Sequence, residues 1–271
     1  MEKGLYLSDI WIPEREVEGY DYIYYGSELC INKFLHMSNL DRVINYCIKY
    51  NKTFCFMTPF VPENSFEEFV FLFENVCKSN VKKEIIVNDF GIMQMINENY
   101  KDKLELTYGR LLNRMKKSPS IMNYFNKFNE DSKMALQTSA VNNQYTFELL
   151  QRYGYRNIQY ENVLQSNRLH FEPHFNNHLL LPCVQVSTSR KCIGTCVNSN
   201  TYYLNGVCDY GCEKKRYTLY NKEIKQEVIL NGNTIMYVNN SVANDIRDYS
   251  RIVYNKPVQS WEDIKILSGL I

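Results

Sequence analysis

Short apolar runs alternate along this chain with stretches whose apolar residues recur every three or four positions, and the alternation starts near the first residue. Leu5 to Ile10 and Tyr22 to Tyr25 read as strands. Leu40, Val43, Ile44, Cys47 and Ile48 form one stripe of a helix, with Ser38 and Asp41 as its N-terminal cap. Thr53 to Thr58 is the next strand, and Ser65 with Glu68 makes a capping-box pattern ahead of the stripe Phe66, Phe69, Val70, Phe73 and Cys77. Glu84 to Val87 is a buried-type strand that ends in Asn88-Asp89-Phe90-Gly91, followed by a short helix and the strand Leu104 to Tyr108. The pattern then predicts a helix over Ser118 to Lys133, a strand over Ala135 to Thr138, a helix over Val141 to Tyr153 and a strand over Asn157 to Tyr160. Leu179 to Val186 is apolar and extended.

Repeated strand-then-helix units predict an α/β protein with a parallel sheet covered by helices. Seven or eight such strands close into a TIM-barrel-like parallel barrel. An open doubly wound sheet is the weaker reading, because no Gly-rich dinucleotide fingerprint follows the first strand. After Ser187 the pattern changes. Residues 188–222 are polar, cysteine-rich and turn-rich, with Asn205-Gly206 among them. Glu227 to Leu230 and Thr234 to Val238 then read as a β-hairpin about a two-residue Asn231-Gly232 turn, and a helical region follows. Repeats, low-complexity stretches and flexible linkers are not evident, so residues 1–271 are expected to form one barrel-like domain with the cysteine segment inside it.

Bulk composition narrows the function classes. There are 31 Lys and Arg against 30 Asp and Glu, which argues against a broad nucleic-acid surface, although Arg110, Arg114, Lys116 and Lys117 make a local basic group. No apolar run is long enough to span a bilayer, and the N-terminus lacks a signal-peptide pattern, so a cytoplasmic protein is expected. In that compartment nine cysteines are expected to be thiols or metal ligands rather than disulfides.

Cys192, Cys196, Cys208 and Cys212 follow the spacing C-x3-C-x11-C-x3-C. Thiolates so spaced let one loop fold around a metal centre, and both zinc and iron–sulfur clusters accept four of them. The C-x3-C pairs differ from the C-x2-C of zinc ribbons. Lys191, Lys214, Lys215 and Arg216 flank the thiols and would offset thiolate charge. Cys47, Cys55 and Cys77 fall on helical stripes or in a strand and read as core.

Arg190-Lys191-Cys192 with Cys208 and Cys212 resembles the cysteine segment of the U-32 peptidase-like family of UbiU/UbiV-type iron–sulfur proteins. The likeness continues in order along the chain, through Tyr22-Ile23-Tyr24-Tyr25-Gly26-Ser27-Glu28-Leu29-Cys30, Val87 to Gly91, Tyr108 to Asn113 and Ile229 to Gly232. The chain is similar above all to the short UbiV-like members, since it lacks the extra C-terminal domain of the longer ones. The resemblance implies a [4Fe–4S] cluster on a barrel, with Cys30, Cys192, Cys208 and Cys212 as ligands. Cys196 departs from the family pattern and is the alternative fourth ligand, and zinc is the alternative metal. The resemblance also implies oxygen-independent hydroxylation of a small molecule, with prephenate as oxygen source, and a heterodimer with a related subunit; a homodimer is the other possible assembly. The competing reading is a non-catalytic scaffold pinned by zinc or a cluster.

Asn88, Asp89, Arg110 and Asn113 fall at predicted strand ends, where a barrel carries its active site. With Glu28 they suit a small carboxylate-bearing ligand gripped by the Arg110 fork; the competing reading has them capping helices and bridging loops. His170, His174 and His178 are spaced by four, but Pro173 interrupts a helix, and a polar strand or loop near the barrel mouth is favoured over a metal site. Asp89-Phe90-Gly91 stands without the other kinase motifs, and nothing supports a peptidase.

Overall fold

The computed structural model describes residues 1–7, 17–101, 103–169, 174–199, 208, 210–213, 216–242 and 244–255. Eight parallel strands close into a barrel: β1 (Glu2–Leu7), β2 (Tyr22–Gly26), β3 (Thr53–Met57), β4 (Lys83–Val87), β5 (Glu105–Tyr108), β6 (Tyr155–Glu161), β7 (Asn176–Leu181) and the strand Arg251–Asn255, which pairs with both β7 and β1. The α/β barrel expected from the alternation is therefore the fold. The closing strand was not foreseen, although Ile252-Val253-Tyr254 is a β-branched and aromatic run. The helical region expected at the end of the chain lies outside the described residues beyond Asn255.

Between β7 and the closing strand the chain builds a second sheet. Its strands are β8 (Cys183–Thr188), β9 (Tyr217–Leu219), β10 (Val228–Asn231) and β11 (Thr234–Val238); the strand Arg251–Asn255 is then β12. The antiparallel order is β8-β11-β10-β9. The apolar stretch Leu179 to Val186 thus divides at the cis Leu181-Pro182 bond between barrel and inserted sheet. The hairpin is present, but its two-residue turn is Gly232-Asn233, with Asn231 paired to Thr234 and Gly232 at φ +61°.

Other boundaries shift for local reasons. Ser118 to Lys133 begins as 3-10 turns over Pro119–Asn123 and Phe125–Lys127, with Pro119 in the first turn. The helix Glu130–Gln137 then runs through the stretch expected as a strand at Ala135, capped by the Asn129 side chain on Ser132 N. The cap residues Ser38 and Ser65 make no side-chain cap bond; Asn39 and Ser65 occupy the N-cap positions of Leu40–Lys49 and Phe66–Lys78. Among the described residues, no helix is long and apolar enough to cross a membrane.

Strand alternation sends one set of side chains out to the helices and the other into the barrel. The outer set, including Ile23, Phe54, Phe56, Ile85, Val87, Leu179 and Ile252, joins Phe34, Phe69, Phe73 and Ile96 of the helices in the main core. Inside, Tyr6, Tyr24, Cys55, Met57, Ile86, Leu180 and Val253 form an apolar layer. Beneath it Glu84 accepts from Arg251 Nη1 at 2.6 Å and from the Thr107 hydroxyl, while Arg251 also donates to Tyr24 Oη at 2.7 Å. His178 is buried in this interior with neither ring nitrogen hydrogen-bonded, its Nδ1 3.9 Å from Glu84. His174 is exposed and His170 lies outside the described residues, so the three-histidine pattern is not brought together as a site.

Burial, reinforced by the Arg251 charge, holds the His178 imidazole well below the usual histidine range. The unfolded chain takes up a proton near pH ~6.5 that the folded barrel refuses. Stability is full above that pH and falls as the pH drops through it toward the depressed folded value. Urea unfolding at pH 7.5 and 5.5 should show a loss of up to about 1.4 kcal/mol per pH unit from this group. The loss should shrink in His178→Gln; an unchanged pH slope in that variant refutes the assignment.

Candidate functional site

A cavity of about 1090 Å³ lies over the C-terminal ends of the barrel strands, with the inserted sheet as its far wall. Tyr6, Gly26, Glu28, Asn88 and Asn255 form its floor, and Gln185, Thr188 and Met236 come from the sheet. Cys30, Cys192, Cys196, Cys208 and Cys212 all line it.

Two stretches of chain deliver these thiols. At the end of β2, Gly26 turns at φ +140° and passes so close to β3 that a Cβ there would stand 2.3 Å from the Met57 carbonyl oxygen. Ser27, Glu28 and Leu29 follow, and Cys30 becomes the N-cap of the short helix Ile31–Leu35. The insertion supplies the rest. Cys192 precedes the helix Ile193–Ser199, and Cys212 sits in the 3-10 turn Gly211–Glu213. The hairpin turn binds both stretches: Asn233 Nδ2 donates to Leu29 O at 2.7 Å and to Ser189 O at 2.8 Å, and Asn231 Nδ2 donates to Cys212 O at 3.3 Å. Gly232 is the close-contact point. A Cβ there would lie 3.3 Å from Cys212 Sγ and 3.9 Å from Cys192 Sγ, so both sulfurs sit against the same corner of the turn. Gly194 packs on that glycine as well, and its N–H donates to Gly232 O at 2.8 Å.

The electrostatics agree with this geometry. Burial raises the Cys30 thiol above its ordinary range; the Lys33 backbone N–H opposes this, and the neighbouring Cys208 and Cys192 add to it. Burial pushes Cys212 up to about 11, against the pull of Lys33, with Cys192, Cys30 and Cys208 contributing. Cys196 follows one helical turn after Cys192, with its N–H on Cys192 O at 3.4 Å, and faces the same cavity. Among the described residues, no three His, Cys, Asp or Glu side chains are drawn close enough to hold one metal ion. Lys214 and Lys215 lie outside the described residues. Cys47, Cys55 and Cys183 are buried, and Cys77 packs against the core.

The four residues expected at strand ends take different roles. Asp89 is the N-cap of the helix Phe90–Asn99, accepting from Ile92 N at 3.1 Å and from Val61 N at 3.2 Å. Asn113 bridges loops, donating to Gln159 O at 3.0 Å and accepting from Val141 N at 3.3 Å. Asn88 laces three strand ends through Thr58 O (3.0 Å), Glu28 Oε2 (3.3 Å) and Leu111 N (3.1 Å). Gly109 lies against it so closely that a Cβ would sit 2.1 Å from Asn88 Oδ1.

Arg110 corrects the expectation of a free ligand-gripping fork. Its guanidinium is buried and engaged, bridging Glu28 and Glu161, the latter at 3.0 Å. Burial works against its charge, and the Glu28 and Glu161 carboxylates outweigh that and raise its pKa. Glu161 also pairs with Lys117 and accepts from the Gln185 backbone N–H at 2.6 Å, which bolts β8 to the barrel mouth. Sequence reasoning missed Glu161 and the pairing of Lys117. The acidic end of the strand after Tyr160 was the available signal. No family model, curated protein or solved structure matches this chain.

Proposed function

We propose that this chain is an iron–sulfur protein whose [4Fe–4S] cluster is held by Cys30, Cys192, Cys208 and Cys212 over the barrel mouth. It would act, as enzyme or enzyme subunit, in oxygen-independent hydroxylation of a small molecule taken into the adjoining cavity. The observation that carries the reading is that Cys30, from the end of β2, lines the same cavity as three thiols from an insertion over 160 residues later. The resemblance of the cysteine segments to the U-32 peptidase-like family supplies the kind of cofactor and reaction.

The residues present suit such a group. Thiolates are its ligands, a glycine turn backs two of the sulfurs, and Lys33 faces Cys212 to offset charge. Thiols bind metal as thiolates, so metallation of the site would release protons and its affinity would fall as the pH drops. With four thiolate ligands, the cluster would supply electron transfer. The chain's own contribution is a shaped site: Glu28 and Asn88 form its floor, while Arg114, Arg190 and Lys191 on the wall favour an anionic molecule. Arg190 is further positioned by stacking on Phe60, 4.8 Å from the ring centroid.

The engagement of Asp89, Arg110 and Asn113 in structure favours a second reading, a scaffold in which zinc or a cluster pins the insertion. Anaerobic purification followed by iron, sulfide and zinc analysis separates an iron–sulfur protein from a zinc-pinned scaffold. The hydroxylase reading expects a brown protein with about four irons per chain that bleaches under dithionite. A colourless chain with about one zinc overturns it. Cys212→Ser is expected to lose most of the iron. Of Cys30→Ser and Cys196→Ser, only the former should do the same; iron loss in Cys196→Ser alone replaces the fourth ligand.

A further inference from the structure

The short helix that begins at Cys30 presents one face to the loop that carries Cys208 and Cys212. Cys30, Lys33 and His36 follow one another at three-residue steps, which places them along one side of the helix. Cys30 and Lys33 line the same cavity as Cys208 and Cys212, and the His36 ring stacks on Tyr210 with centroids 4.5 Å apart and planes 28° from parallel. Tyr210 lies midway between the two cysteines and holds φ +51°, a left-handed conformation unfavourable for a side chain of this size. Such a conformation persists where contacts over-determine it. The ring stack is one contact that does so. At its other end His36 is fixed by the helix, its N–H donating to Asn32 O and Lys33 O, both at 3.2 Å.

We infer that His36 and Tyr210 form a latch that holds the Cys208–Cys212 loop against the Cys30 helix, setting the distance between the two halves of the thiol site. Both are positioning residues and neither is a ligand. The inference rests on the proposed cluster site for its purpose, but the latch itself is a property of the chain before any metal arrives. Opening it frees the left-handed backbone at Tyr210 and lets Cys208 and Cys212 swing away from Cys30 together. Closing it presents those thiols to an incoming metal at one place. The stacked imidazole needs only its ring face for this, so another planar ring at position 36 serves as well.

The test uses the full-length chain in two states. In the metal-free chain, alkylation by iodoacetamide is followed at each cysteine by peptide mass spectrometry. His36→Ala and Tyr210→Ala are expected to speed modification of Cys208 and Cys212 by about three- to tenfold, the range set by loss of one aromatic pair. The double variant should be no faster than either single one, because the two rings act as a unit. His36→Phe and Tyr210→Phe should restore the wild-type rate, and buried Cys55 should be unaffected in all of them. In the reconstituted chain, iron release to a chelator should accelerate in the same variants and recover in the phenylalanine ones.

Wild-type alkylation rates in His36→Ala, or additive effects in the double variant, overturn the latch. If the wild-type chain takes up no iron yet the alkylation pattern holds, the latch stands and the cluster reading falls. If it takes up iron and the alanine variants match wild type in both measurements, the latch alone falls.

Discussion

Arg110→Met is expected to destabilise the protein by about 3–5 kcal/mol, the cost of breaking a buried ion pair on one side. The guanidinium is only 2% exposed and stands between two carboxylates, Glu28 and Glu161, that are equally shielded from water. Without it Glu161 retains Lys117, but among the described residues the one hydrogen-bond donor left to Glu28 is the Asn88 amide at 3.3 Å. An ionised carboxylate in that position is left with far too little compensation, and protonation is its one escape. Stability of the variant should therefore recover in part as the pH falls, when Glu28 can take up a proton. Denaturant unfolding at pH 7.5 and 5.5 measures both effects. Adding Glu28→Gln to Arg110→Met should regain part of the lost stability at neutral pH, since it removes the stranded charge. A change below about 1 kcal/mol in the single variant, as for an exposed pair, contradicts the buried bridge. The consequence reaches the thiol site, because Glu28 lies two residues before Cys30 and Glu161 anchors β8 through Gln185.

Gly26→Ala is expected to be nearly as damaging, at about 2–6 kcal/mol from backbone strain and overpacking together. The residue holds φ +140°, which an L side chain rarely adopts, and its missing Cβ points at the Met57 carbonyl oxygen 2.3 Å away. That obstacle is backbone in the neighbouring barrel strand, so no side-chain rotation relieves it. The carbonyl of Gly26 also accepts from Tyr6 Oη at 3.1 Å inside the barrel mouth, a bond that a shifted strand end would lose. Gly19→Ala is the matched comparison, because nothing lies within 4 Å of its Cβ position. It should change stability by no more than about 0.5 kcal/mol. Equal effects in the two variants in a urea titration refute the close approach at Gly26. Since β2 leads directly to Glu28 and Cys30, Gly26→Ala should also lower iron uptake in anaerobic reconstitution.

How much of the site was legible follows from how local each signal is. The cysteine spacing over 192–212 is local, and it singled out thiols that do share one wall of a cavity. Cys30 has no local signal, since a lone cysteine after a strand is read as core as readily as a ligand; only the resemblance linked it to the others. The bond from Asn233 to Leu29 that brings it there joins residues 204 positions apart. The strand-end polar residues show the converse. Asn88 and Asp89 follow the end of β4, and Arg110 and Asn113 follow β5, yet residue type does not reveal who their partners are. Asp89 spends its carboxylate on a helix terminus, and Arg110 spends its guanidinium on two acids from other strands.

The sequence by itself determined the alternation of strand and helix, hence the barrel, because side-chain period and propensity act over a few residues and need no distant partner. It also determined the hairpin, where a glycine permits the tight turn, and the core placement of Cys47, Cys55 and Cys77. Tertiary structure alone decided that Arg251–Asn255 closes the barrel, that the cysteine segment and hairpin interrupt the barrel between its seventh and eighth strands, and that Pro182 divides one apolar run between two sheets. It also decided which charges cancel. Those outcomes depend on which surfaces meet after the chain has closed on itself, and ion pairing and burial at such meetings act through space between residues that the sequence keeps far apart.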